Sequence, residues 1–181
     1  MIFKETKLKG CFVIEPTVFT DDRGYFMESF NRENFNSEIG DSVNFVQDNQ
    51  SFSTKGVIRG LHYQKGINAQ AKLVRVINGL VLDVVVDLRK NSSTYGEYFA
   101  LELSSENKIQ LYIPRGFAHG FAVLSNTAEF FYKCDNYYNK ASEGGILYND
   151  KTLNINWKLP ISEHLISEKD LQLPTFKMAE L

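Results

Sequence analysis

The chain has 181 residues, enough for one domain with a substantial buried core. Its net charge of −2, with no block of five like charges, argues against nucleic acid as a partner but leaves room for a small anion. The charged N-terminal run does not read as a signal peptide, no apolar stretch nears the roughly 18 residues of a spanning helix, and Cys11 and Cys134 read as free thiols, so the expected compartment is the cytoplasm.

In chain order, a short helix is predicted over residues 31–39, capped by Asn31, with Phe35 and Ile39 on one face and Gly40 as its stop. Residues 72–77 and 80–88 are apolar and β-branched and flank Asn78-Gly79. That pattern predicts a β-hairpin closed by a type I′ turn. Further strands are predicted at 97–103, 108–113, 119–124 and 127–134, separated by turn residues such as Asn91-Ser92-Ser93 and Pro114-Arg115-Gly116. Residues 159–181, with Pro160 and Pro174, predict one or two short helices. There is no repeat and no low-complexity segment. The expectation is one all-β domain over 1–181, a barrel or jelly roll of two facing sheets that hides its edges.

Histidine is scarce, with only His62, His119 and His164. His119 lies in Pro114-x-Gly116-x-x-His119, which resembles the second motif of cupin barrels, where the histidine is a metal ligand. The first cupin motif wants His-x-His followed closely by Glu, but this chain has His62-Tyr63-Gln64. Two imidazoles and an amide make a poor transition-metal set, so no metal is expected. Without one, a neutral imidazole suits a general base, because its ordinary pKa is about 6.5. Such a base needs an acceptor to orient it, and Asp83 and Asp170 are both candidates.

Period two on residues 127–134 puts Ala128, Phe130, Tyr132 and Cys134 on one apolar face. A phenol there is either a core tyrosine bonded to backbone or a proton donor. Lys72 shares a face with Val74 and Val76 by the same count. It is either a solvated strand-end lysine or a cation for a developing oxyanion.

Together the runs resemble the dTDP-4-dehydrorhamnose 3,5-epimerase family. The resemblance rests on residues 19–26 (Phe-Thr-Asp-Asp-Arg-Gly-Tyr-Phe), 45–49, 56–64 (Gly-Val-Ile-Arg-Gly-Leu-His-Tyr-Gln), 71–76, 114–121 and 165–170, in order over nearly the whole chain. It implies a double-stranded β-helix (cupin-like jelly-roll) barrel, a homodimer and no cofactor. It also implies His62 as base, Tyr132 as acid, Asp170 as the carboxylate orienting the base, and Lys72 beside the substrate's C4 oxygen. Arg23, Glu28, Gln47, Asn49, Arg59, His119, Glu143 and Lys169 fall at substrate-binding positions, and Tyr138 falls where an aromatic stacks on the thymine. The resemblance further implies that some of these reach in from the partner subunit. Ser93 stands where the family often has proline, and residues 149–157 lack a usual Asp-Pro and Gly.

The implied chemistry fits these residue types. In a 4-keto hexose, C3 and C5 flank the ketone, and removing either proton gives an enolate with its charge on O4. The protein then needs a base on one face of the sugar, an acid on the other and a positive group at the oxygen. The expected activity is conversion of dTDP-4-dehydro-6-deoxy-D-glucose to dTDP-4-dehydro-L-rhamnose, for dTDP-L-rhamnose and cell-surface polysaccharide biosynthesis. The alternatives are an epimerase acting only at C3 or C5 of another nucleotide-linked 4-keto sugar, and a non-catalytic sugar-binding cupin.

Overall fold

The computed structural model describes residues 1–40 and 43–180. Its strands are β1 (Ile2–Glu5), β2 (Phe12–Glu15), β3 (Val18–Asp21), β4 (Gly24–Met27), β5 (Gln47–Thr54), β6 (Ile58–Gln64) and β7 (Lys72–Asn78), then β8 (Leu80–Asp87), β9 (Tyr98–Ser104), β10 (Gln110–Ile113), β11 (Phe117–Val123), β12 (Thr127–Cys134) and β13 (Glu143–Gly145). Helix α1 (Arg32–Ile39) precedes β5, and the single-turn α2 (Glu168–Leu171) follows β13.

Six strands form one sheet in the order β1-β2-β10-β7-β12-β5, and five form the other in the order β13-β6-β11-β8-β9. The named strands pair antiparallel throughout, and β3–β4 is a separate hairpin. Val74, Val76 and Phe130 of the first sheet meet Val81, Val85 and Phe121 of the second in the space between them. This is the expected cupin-like jelly roll.

The outer faces are covered too. Phe35 of α1 packs on Ile14, Leu73 and Tyr112 outside the first sheet. Tyr148, Trp157 and Phe176 pack on Leu82, Val84 and Val86 outside the second. Strand β8 is therefore buried on both faces, which explains why it reads as a nearly continuous apolar run. Each such large apolar side chain contributes about 1.5–3 kcal/mol of burial.

The helix forms as predicted. The Asn31 side chain accepts from the Glu33 and Asn34 amides, and Gly40 ends the helix at φ 79°. The predicted hairpin does not form. β7 pairs with β10 and β12, whereas β8 pairs with β9 and β11, so Asn78-Gly79 is a corner between the two sheets. Gly79 has φ 86°, but Asn78 is still a strand residue, so the type I′ geometry is absent. A Cβ on Gly79 would lie 2.1 Å from the Thr127 carbonyl oxygen, so the corner needs glycine for clearance as well as for its dihedral.

The C-terminal segment holds one α-helical turn, α2, and two 3₁₀ turns, Ile161–Glu163 and Phe176–Met178. Buried Asp150 holds this strap down. Its carboxylate accepts from the amides of Thr152, Leu153 and Phe176.

Buried Asp87 closes the far end of β8. It accepts from Ser92, Thr94, and the Arg89 amide and guanidinium. Burial opposes its ionisation, but these donors, Arg89 first, outweigh it and hold the carboxyl at about 2. A depressed folded-state pKa stabilises above the ordinary aspartate pKa, and that contribution is lost as pH falls from about 4 towards 2. Asp87→Asn is therefore expected to cost roughly 2 kcal/mol at neutral pH. Urea melts of both proteins between neutral pH and pH 3 should show the difference shrinking with acidity.

Candidate active site

Strand period and register bring distant residues into the same interior. On β12, Ala128, Phe130, Tyr132 and Cys134 face between the sheets, as the sequence predicts; all but half-buried Tyr132 are nearly inaccessible. Tyr132 pairs with Asn49 and Cys134 with Gln47 on β5, while Cys134 also pairs with Lys72 on β7. In the second sheet His62 of β6 pairs with His119 of β11. Gln47, Asn49, Lys72 and Tyr132 thus enter from one sheet, and His62 and His119 from the facing one.

Two compartments of about 790 and 770 Å³ open here. They share Asn49, His62, Lys72, Tyr132 and Lys169 as common walls. The first also contains Gln47, Tyr138 and Glu143, and the second contains Arg59, His119 and Asp170.

The two aspartate candidates separate cleanly. His62 Nε2 lies 2.8 Å from Asp170 Oδ1, and His119 Nε2 lies 2.8 Å from Asp83 Oδ2. With Nε2–H donating to Asp170, the Nδ1 of His62 is the basic nitrogen. The other Asp170 oxygen accepts from the Gly60 amide, and its own amide donates to the Ser167 hydroxyl that caps α2. Burial opposes ionisation of Asp170, but the His62 bond and these donors keep its pKa below the usual carboxylate value. Burial pushes the His119 imidazole towards its neutral form, with Asp83 opposing. Each imidazole thus commits one nitrogen to its own carboxylate.

Close backbone approach places His62. Here β6 and β11 change register between His119 and Phe121. A Cβ on Gly60, at φ 120°, would lie 2.6 Å from the Gly120 Cα. Glycine at 60 and 120 lets the strands touch and aims the next inward residue, His62, into the cavity.

Burial also sets the charges opposite. It lowers the Lys72 pKa, against the pull of Cys134 and Asp83, and raises that of the Tyr132 phenol. Among the described residues no carboxylate pairs with the Lys72 ammonium, which lies 5.7 Å from the Tyr132 ring centre. The cavity therefore offers a carboxylate-oriented imidazole on one sheet, and a protonated phenol and an unpaired cation on the other.

A family model described as dTDP-4-dehydrorhamnose 3,5-epimerase matches residues 5–178. The chain belongs to this family. It is 53% identical to the dTDP-4-dehydrorhamnose 3,5-epimerase of Shigella flexneri over 97% of this chain and 96% of that one. The crystal structure of the enzyme from Elizabethkingia anophelis superposes with a TM-score of 0.95 at 57% identity, covering 98% of this chain and 97% of that one. The Legionella pneumophila enzyme, solved in complex with dTDP-4-keto-L-rhamnose, superposes at 0.94 with 45% identity, over 98% of this chain and 93% of that one. Membership makes this protein an isomerase, a carbohydrate epimerase of nucleotide-sugar metabolism. No helix among the described residues is long and apolar enough to cross a membrane.

The epimerase cavity gathers most of the residues singled out in the sequence. Gln47 Nε2 donates to Asn49 Oδ1, and the Tyr138 hydroxyl and the Lys169 ammonium both donate to Glu143. Arg59 donates to the Ser53 hydroxyl. Arg23 and Glu28 are not among the residues lining either compartment. Arg23 sits at the β3–β4 tip, 90% exposed and paired with Asp21, and Glu28 accepts from Asn31. The chain also has cavity residues that sequence reasoning passed over. Gln64, noticed only as a break in the cupin motif, lines the first compartment and accepts from the Asn139 amide. Its period-two relation to His62 was a usable signal. Leu173 and Met178 of the C-terminal strap line the same compartment, and no local pattern marks them.

Proposed function

We propose that this enzyme inverts C3 and C5 of dTDP-4-dehydro-6-deoxy-D-glucose, giving dTDP-4-dehydro-L-rhamnose for dTDP-rhamnose biosynthesis. The observation that carries this reading is that His62 and Tyr132 enter one cavity from facing sheets, with Lys72 beside Tyr132. A sugar ring lying between the sheets has a base on one face and an acid on the other. His62 takes the proton from C3 or C5 and Asp170 stabilises the imidazolium. Lys72 holds the enolate charge on O4, and Tyr132 returns a proton from the opposite face. Burial suits Tyr132 to this role, since it keeps the phenol protonated until it is needed. The ketone is already in the substrate, so the cycle needs no cofactor.

Tyr138, half-exposed at the mouth of the first compartment, stacks on the thymine. Gln47, Asn49, Arg59, His119, Glu143 and Lys169 bind the remaining sugar and diphosphate groups. Planar guanidinium heads such as Arg59 suit phosphate oxygens. The reading includes a homodimer. The β3–β4 hairpin exposes Phe19 at 63% and Phe26 at 70%, a pair of large apolar side chains of the kind a partner's surface covers. Its insertion into the partner's site brings Arg23 and Glu28 to the substrate. The single domain works in the cytoplasm, where the buried thiols of Cys11 and Cys134 stay reduced.

Turnover of the substrate in deuterated water tests the assignment. Deuterium at both C3 and C5 of the product is expected. Label at one carbon would make the enzyme a single-position epimerase, and no label would make the chain a binding protein.

A further inference from the structure

The substrate-binding reading leaves Glu143 with only a ligand to hold, yet its contacts run towards the catalytic pair. We propose that Glu143 is a positioning residue that couples the nucleotide end of the cavity to the His62–Asp170 pair. The proposal rests on the reading of His62 as the base.

Glu143 opens β13, which pairs with β6 through Glu143↔Gln64 and Gly145↔His62. Paired residues face the same side, so Glu143 is a diagonal neighbour of His62, about 7–8 Å away and somewhat less at Cβ. The carboxylate is divided between two donors. Tyr138 Oη donates to one oxygen at 2.9 Å, and Lys169 Nζ donates to the other at 2.7 Å. Lys169 precedes Asp170 on α2, a turn held at its start by the Ser167 hydroxyl bond to the Asp170 amide and the Leu171 amide bond to the Ser167 carbonyl, and on its approach by the backbone bonds of Leu165 to Gly56 and Ile58. A four-residue helix has no independent stability. Glu143 therefore ties the strap that carries Asp170 back to the strand next to the one that carries His62.

The tie is also an electrostatic contact. The Lys169 bond chiefly, with the Tyr138 bond and, least of all, the charge of His62, holds the Glu143 carboxyl below its ordinary range against the opposing effect of burial. The other ionisable groups around His62 are Asp170 and Lys169 on α2, His164 before that turn, Arg59 on β6 itself, His119 on β11 with Asp83 behind it on β8, Lys72 on β7 and Tyr132 on β12. Glu143 and Lys169 face His62 as a compensated pair. Removing either member leaves the other's charge unbalanced, and the two removals act on the imidazolium with opposite sign. A nucleotide that engages Tyr138 pulls on the same carboxylate, so an occupied nucleotide end adjusts the base.

The test is an NMR titration of the His62 imidazole in Glu143→Gln and Lys169→Met, with kcat and KM measured on the same proteins. In Glu143→Gln the imidazolium loses its anion and faces a bare ammonium, so its midpoint is expected to fall by a few tenths of a pH unit, given solvent screening. In Lys169→Met it should rise by a similar amount. Both variants should lose roughly tenfold in kcat, because a loosely oriented base costs turnover. A folding defect would not move the midpoint in opposite directions. A raised KM with kcat and the titration unchanged would overturn the proposal, leaving Glu143 a plain ligand contact. Midpoints that move while the acid limb of kcat/KM stays fixed would support the coupling and remove His62 as the base.

Discussion

Substituting His62 with alanine is expected to lower solvent exchange at both carbons and turnover together, by about 10²–10⁴-fold, the usual contribution of a positioned base. Tyr132→Phe should lower turnover by a similar factor with a different signature. His62 can still remove a proton and return a deuteron to the same face, so recovered substrate should gain label while inverted product falls away. Both expectations follow from the two side chains approaching from opposite sheets. Mass spectrometry of recovered sugar, alongside product assay, separates exchange from inversion. Wild-type exchange rates in His62→Ala would sink the base assignment, and wild-type inversion in Tyr132→Phe would sink the acid.

The second large effect is expected at Lys72. An ammonium aimed at a developing oxyanion in a water-poor cavity is worth about 3–4 kcal/mol, or a 10²–10³-fold fall in kcat for Lys72→Ala with little change in KM. The pH profile carries a further mark. Because burial lowers the Lys72 pKa, the charged form is present below the depressed value and is lost as pH rises through it. The basic limb of activity should therefore lie below the ordinary lysine range, and it should vanish in the alanine variant. A loss confined to KM would reduce Lys72 to a substrate contact.

Much of this molecule was legible in residue order alone. The inward faces of β7 and β12 followed from period two, and α1 followed from Asn31, Phe35 and Gly40. The corner at Asn78-Gly79 was not legible, because turn chemistry reports a reversal and not which sheet the chain enters next. When both flanking strands are buried, the same glycine serves a turn within a sheet or a corner between sheets. The choice between Asp83 and Asp170 was invisible to spacing for a related reason. Asp170 meets His62 across 108 residues of chain, and only the folding of the strap onto the second sheet brings them together. The resemblance carried that choice, and in the structure Asp170 is the carboxylate bonded to His62. Arg23 and Glu28 lie away from both compartments because they sit on and just beyond a hairpin whose apolar side chains face outward.

The strap has one more consequence. Most of the cavity is built into the two sheets, but the carboxylate bonded to His62 arrives on a segment outside the barrel, held by Asp150, by Leu165's backbone bonds to Gly56 and Ile58, and by Trp157 and Phe176 packed on the second sheet. The barrel core between the sheets does not include that segment. A loosening of that segment is expected to part Asp170 from His62 while the core between the sheets still holds.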